Sequence, residues 1–200
     1  MKNSKENIKS PKNFAKEYFR ELEKVRKEID FIKISFVTDL LQDLYKNNKT
    51  LYVCGNGGSA AIANHFACDH LKGIREKTNI RPKVHSLSSN IELITAISND
   101  IKFDDIFTFQ LSSLANKYDC FLTISSSGSS KNIIKAIKWA KKNNLKTISL
   151  NGFNGGKASK ISDVSINVSS NNYGIIEDIH QTIMHILAQS LIKKNSSKKP

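Results

Sequence analysis

The rhythm of hydrophobic positions changes near residue 50. From Phe14, apolar residues recur at three- and four-residue spacing: Phe14, Tyr18, Phe19, Leu22, Val25, Ile29, Ile32, Ile34. The pattern continues through Phe36, Leu40, Leu41 and Leu44. It predicts one or two amphipathic helices ahead of the first strand. Such a helix packs on another chain or covers its own sheet. Five short apolar runs follow: TLYVCG at 50–55, KVHSLS at 83–88, CFLTIS at 120–125, KTISLN at 146–151 and VSINVS at 164–169. Each reads as a strand of a parallel sheet. Helical patterns lie between them at 59–71, 91–98, 104–115 and 131–142, with a last helix near 175–192. This alternation predicts an α/β fold: a doubly wound, five-stranded parallel sheet with an N-terminal helical extension. In such sheets the ligand sits beyond the carboxyl ends of the strands, so chemistry is sought in the loops there.

Length and composition narrow the reading. The 200 residues contain no internal repeat and no interdomain linker. One domain is expected over 12–193, with a flexible basic arm at 1–11 and a disordered basic tail at 194–200. With 39% hydrophobic and 24% charged residues, collagen, mucin and wholesale disorder are excluded. No stretch approaches the ~20 apolar residues that span a bilayer. The start, MKNSKENIKSPKNF, has no apolar signal core, and Cys54, Cys68 and Cys120 form no Cys-x-x-Cys pair. Both features point to a cytoplasmic protein with free thiols. The net charge of +13 raises the question of nucleic acid. The charge is dispersed, however: residues 1–30 hold nine Lys/Arg against six Asp/Glu, and the tail KKNSSKKP adds four Lys. No aromatic-interleaved basic strand or helix-turn-helix pattern accompanies it. These features argue against nucleic acid as a partner and favour an anionic ligand such as a phosphate.

Two loops carry candidate chemistry. The first strand runs into Gly55-Asn56-Gly57-Gly58-Ser59-Ala60-Ala61 and then a helix. Glycines permit close backbone approach, and a helix start offers free N–H groups to an anion. The alternative is a tight turn with no ligand. The spacing fits neither a dinucleotide fingerprint nor a P-loop. The third strand runs into Ser125-Ser126-Ser127-Gly128-Ser129-Ser130-Lys131-Asn132. These hydroxyls can ring a phosphate; the alternative is one capping serine and loop filler. Two such loops on one sheet edge can touch one molecule.

The intervening helix carries His65 and Asp69, which share a face and fit a metal, an acid/base pair or a surface ion pair. The last helix carries Glu177, His180 and His185. Glu177 and His185 reach one point only if their side chains lean together, and a local His180–Glu177 contact stays open. Asn99-Asp100 ends a helix. His85, inside a strand run, is assigned to packing or an exposed edge.

In this order, GNGGSAAIANHFACDHLKG, SND at 98–100, ISSSGSSKNIIKAIKWAKKNNLKTISLNGFNGGKASKISDVSINV and IEDIHQTIMHIL resemble the sugar isomerase (SIS) domain family, over about residues 35–192. Within it they resemble the phosphoheptose isomerase branch. The resemblance implies a flavodoxin-like five-stranded sheet and homo-oligomers, usually tetramers, with active sites completed across subunits. A neighbouring chain could then supply His65 and Asp69. It assigns the sugar phosphate to Ser125, Ser126, Ser127 and Ser130, with Asn56, Gly57, Gly58 and Ser59 from the turn and Asn99 and Asp100 as a substrate-contacting pair. His65, Asp69, Glu177 and His185 match the metal and catalytic positions, where zinc is expected. Two matches are inexact: the family carries Glu at the place of Asp69 and Gln at the place of Glu177. A related subset with this look is associated with surface polysaccharide precursors.

The implied reaction is aldose–ketose isomerisation of sedoheptulose 7-phosphate to D-glycero-heptose 7-phosphate. Asp69, or Glu177 if the paired exchange moves the base, would shift the carbon proton. His185 would act as acid on oxygen. The alternatives are an isomerase of another sugar phosphate and a non-catalytic phosphosugar-binding SIS adaptor.

Overall fold

The computed structural model describes residues 10–196. Two helices precede the sheet, α1 (Pro11–Lys27) and α2 (Phe31–Lys46). Asp30 caps α2 by accepting the Lys33 N–H at 3.0 Å. The sheet contains β1 (Thr50–Gly55), β2 (Lys83–Ser86), β3 (Cys120–Ser125), β4 (Lys146–Gly152) and β5 (Val164–Val168). All pairings are parallel, in the order β2-β1-β3-β4-β5.

Between β1 and β2 runs α3 (Gly58–Cys68), which continues as a π-helical segment (Asp69–Ile74) and a helical turn, α4 (Arg75–Lys77). Then come α5 (Ile91–Asp100), α6 (Ile106–Leu114), α7 (Lys131–Lys142), α8 (Gly156–Ile161) and α9 (Tyr173–Asn195). The expected arm at 1–11 and tail at 194–200 fall mostly outside the described residues. Within them, Pro11 already opens α1, and Lys194 and Asn195 belong to α9. Proline suits a helix's first position because its missing N–H has no partner there anyway.

Alternation along the strands builds two cores. Leu51 and Val53 of β1 pack with α1, α2, α3 and α9, while Tyr52 and Cys54 pack with α5, α6, α7 and α8. Every residue of central β3 is buried, as a strand covered on both faces requires. α7 shows the logic in one helix: Ile133, Ile134, Ala136, Ile137 and Ala140 face the sheet, and its lysines face solvent.

The helix expected over 59–71 runs on through the π-helical turns to Lys77. In that widened segment the His70 ring stacks on Phe66 at 4.1 Å and its Nδ1 lies 2.6 Å from the Tyr45 hydroxyl. α8 is absent from the sequence-based expectation, because six residues after a glycine-rich turn carry no readable period. α1 does cover its own molecule. Tyr18 donates to Asp178 on α9 at 2.7 Å, and burial plus that carboxylate push its phenol up to about 12. Phe14, Phe19, Phe31, Ile32 and Phe36 nevertheless stay exposed on α1 and α2.

Candidate active site

Strand order reverses at β1, and the loops after β1 and β3 flank that point. Gly55 pairs with Ile124, so the two loops leave the sheet side by side. Each is pinned. The Gly55 N–H donates to Ser88 Oγ at 3.0 Å, and the Ser88 hydroxyl returns a bond to the Gly55 carbonyl at 2.8 Å. Asn56 and Asn132 exchange amide bonds at 3.0 and 2.9 Å, which ties the first loop to the start of α7.

A cavity of about 180 Å³ lies between the loops, lined by Asn56, Ser59, Ser125, Ser126, Ser127 and Ser130 together with Ile124, Tyr173 and Glu177. Its hydroxyls are only partly used. Ser125 Oγ accepts from the Gly128 N–H at 3.2 Å, and Ser127 Oγ from the Ser129 N–H at 3.3 Å. Ser130 occupies the N-cap of α7 without a side-chain capping bond, and the buried Ser126 Oγ has no partner among the described residues. A buried hydroxyl without a partner is unfavourable unless something else satisfies it. The capping-serine alternative therefore does not describe this loop. Gly128 must be glycine: its φ is +58°, and a Cβ would collide with the Gly155 carbonyl. At Gly58 a Cβ would stand 2.7 Å from Glu177 Oε2, so the turn is cut back to admit that carboxylate.

A second cluster lies between α3 and α9. His65, Asp69 and His185 place ligand atoms all within 4.8 Å of one another. Asp69 Oδ1 is 3.4 Å from His65 Nε2, and Asp69 Oδ2 is 3.7 Å from His185 Nε2. The rings meet edge to face at 5.2 Å. The side chains remain 49%, 29% and 41% exposed, respectively. Two imidazoles and a carboxylate are a donor set that holds a divalent cation.

One chain supplies all three groups, so a neighbouring subunit is not needed to bring His65 and Asp69 to His185. Glu177 does not join them; it faces the serine pocket from two turns earlier on α9. Asn99 and Asp100 are exposed at the end of α5, with Asn99 donating to Asp100 at 2.8 Å, and they do not line the cavity.

His180 makes no local contact with Glu177. It is buried and bonds the Asn151 carbonyl at 3.0 Å, and burial lowers its pKa to about 4. His85 is exposed and stacks on Tyr52 at 5.8 Å. Sequence reasoning missed Asn132, Tyr173 and Gln181. Gln181 stands four residues from both Glu177 and His185, and all three are half-buried, so a count along that helical face would have found it. Its Nε2 lies 2.9 Å from His65 Nδ1 and 3.2 Å from His185 Nε2.

Comparison with known proteins places this geometry. Residues 13–152 match the SIS domain family. A probable phosphoheptose isomerase of Thermoplasma acidophilum is 36% identical over 180 residues, which cover 90% of this chain and 98% of that protein. A phosphoheptose isomerase of Helicobacter pylori strain P12 is 35% identical over 178 residues, covering 88% and 92%. The solved phosphoheptose isomerase of Neisseria gonorrhoeae superposes with a TM-score of 0.84 at 28% identity, over 92% of this chain and all of that one. With a family match over most of its length and relatives above 30% identity that it covers almost end to end, the chain belongs to the SIS domain family, in the phosphoheptose isomerase branch.

Proposed function

We propose that the protein isomerises sedoheptulose 7-phosphate to D-glycero-heptose 7-phosphate, as a step toward surface polysaccharide or nucleotide-sugar precursors. The observation that carries this reading is α9 itself, which brings Glu177 to the partly unsatisfied serine pocket and His185 to the imidazole–carboxylate cluster it forms with His65 and Asp69. The phosphate sits in the serine loop, held by Ser126, Ser127 and Ser130 and by N–H groups at the start of α7. From Glu177 to His185 is eight residues, roughly 12 Å along the helix axis. That separation favours a long sugar with its phosphate on the terminal carbon.

His65, Asp69 and His185 are the residues that would hold a zinc ion, with Glu177 outside that set in this chain. When bound, the ion would supply charge that polarises the sugar carbonyl. The chain's own groups move the protons. Asp69 takes the proton from one carbon and returns it to its neighbour. His185, whose imidazole can both give and take a proton, serves the sugar oxygens. A second reading makes Glu177 the carbon base, favoured by its carboxylate in the serine pocket itself.

A homo-oligomer, in this family's manner a tetramer, would cover the exposed Phe14, Phe19, Phe31, Ile32 and Phe36. It would also close the open side of the imidazole cluster and give Asn99 and Asp100 a neighbour's pocket to reach. The free thiols Cys54, Cys68 and Cys120 suit a cytoplasmic setting. Among the described residues no helix is long and apolar enough to cross a membrane.

The test is heptose-phosphate formation by wild type, Asp69→Asn, Glu177→Gln and His185→Ala. Loss in Asp69→Asn with Glu177→Gln active supports the first reading, and the reverse supports the second. Wild-type turnover in all three variants would defeat the assignment. A panel of five- to seven-carbon ketose phosphates identifies the sugar.

A further inference from the structure

Gln181 belongs to neither the serine pocket nor the group of possible cation ligands, yet it touches both imidazoles. Its amide end lies 2.9 Å from His65 Nδ1 and 3.2 Å from His185 Nε2. The opposite nitrogen of His65, Nε2, faces Asp69 Oδ1 at 3.4 Å. His65 is thus gripped on two edges, by an amide at Nδ1 and a carboxylate at Nε2. The two edges cannot be set independently, because a neutral imidazole carries one proton.

If the amide NH2 faces Nδ1, the proton resides on Nε2 and points at Asp69. If the amide oxygen faces Nδ1, the proton resides on Nδ1. The Nε2 lone pair is then bare and aimed at the Asp69–His185 side. A half-turn of the side-chain amide exchanges these states with almost no change of shape. Only the second leaves Nε2 able to bind a cation beside Asp69 and His185.

We propose that Gln181 is the positioning residue of this centre, which sets the His65 tautomer and so decides whether Nε2 is presented to a divalent cation. In the cation-holding state the Gln181 amide oxygen accepts the His65 Nδ1–H. A partner that fixes the remaining ring proton orients a metal-binding histidine and raises its basicity. In that state the amide offers His185 Nε2 no hydrogen, so the lone pair of that nitrogen is left to the cation, and the bond from α9 to His65 on α3 holds the two helices together at this point. The zinc arm of this inference rests on the cation reading given above; the tautomer arm does not.

The experiment uses full-length protein with Gln181→Leu, which removes the hydrogen bonds, and Gln181→Glu, which can only accept. Circular dichroism verifies folding. The His65 tautomer is read by nitrogen–proton correlation NMR on metal-free protein at mildly alkaline pH, and zinc affinity by competition with a chromogenic chelator. Gln181→Glu is expected to hold His65 as the Nδ1–H tautomer and Gln181→Leu to release it to Nε2–H. Zinc affinity is expected to fall roughly 10–100-fold in Gln181→Leu and to stay near wild type in Gln181→Glu. A packing role predicts the opposite order, with Leu tolerated and Glu harmful, and that order would overturn the proposal. One tautomer in all three proteins would overturn it as well. If wild type binds no zinc while the tautomer still follows residue 181, the cation reading fails and the positioning role stands.

Discussion

Two segments of this molecule each carry two histidines five residues apart, and the pairs have opposite fates. His65 and His70 lie on α3 and its π-helical continuation, and His180 and His185 on α9. Five residues turn a helix through roughly 140°, so each pair divides between two faces. His65 and His185 face each other across the helix gap with Asp69 between them, open to solvent. His70 and His180 are fully buried, one against Tyr45 and Phe66, the other on the Asn151 carbonyl. Burial holds their pKa values near 3 and 4. One residue type thus does two jobs. The buried imidazoles are neutral struts that seat the helices. The exposed ones form, with Asp69, the cluster proposed above to serve the reaction.

The sharpest way to break this comparison is to truncate one member of each kind. His185→Ala should lower isomerase turnover by on the order of 10²–10⁴-fold, the usual scale of acid–base catalysis, with its thermal midpoint unchanged. His180→Ala should instead lose about 1–3 kcal/mol of stability by removing a fully buried ring and its bond to the Asn151 carbonyl. Denaturant unfolding and a coupled assay on both variants check the pair; equal behaviour would erase the distinction.

The serine pocket gives a smaller effect of the same kind. Ser126→Ala removes a buried hydroxyl with no protein partner. It should raise the KM for the sugar phosphate about tenfold, in keeping with a hydrogen bond to a charged group, and leave stability unchanged. A stability loss without a KM change would assign that hydroxyl to the fold.

A last test sets the buried His180 apart by pH. Between about pH 6.5 and pH 4 the unfolded chain protonates His180 while the folded chain does not. Its contribution is therefore complete above that window and declines as pH falls through it, by up to about 1.4 kcal/mol per pH unit. His180→Gln should flatten the pH dependence of unfolding free energy relative to wild type by that slope. Coincident curves would show that His180 titrates alike in both states.

Much of this arrangement could be read before any coordinates. Four of the five strand runs begin and end within one residue of the observed strands, because buried parallel strands read as unbroken apolar runs, and only the edge strand β2 stops two residues short. The Lys131–Lys142 helix was readable to the residue from its isoleucine spacing. Gly55–Ser59 and Ser125–Ser130 announced themselves as loops at strand ends. What escaped depends on distance in space. Asn132 matters because Asn56 stands opposite it, 76 positions away in the chain. Gln181 matters because His65 does, 116 positions away. The separation of Glu177 from the imidazole cluster and the π-helical turn that buries His70 arise from packing of α9 against α3, which one-dimensional spacing does not contain.

The central claim is that the serine pocket and the imidazole cluster act on a single sugar phosphate. A crystal structure of the Asp69→Asn variant with bound sedoheptulose 7-phosphate tests it most directly. The account predicts the phosphate among Ser125–Ser130 and the first two sugar carbons beside His185. A phosphate seated elsewhere, or a sugar lying away from His185, would contradict it.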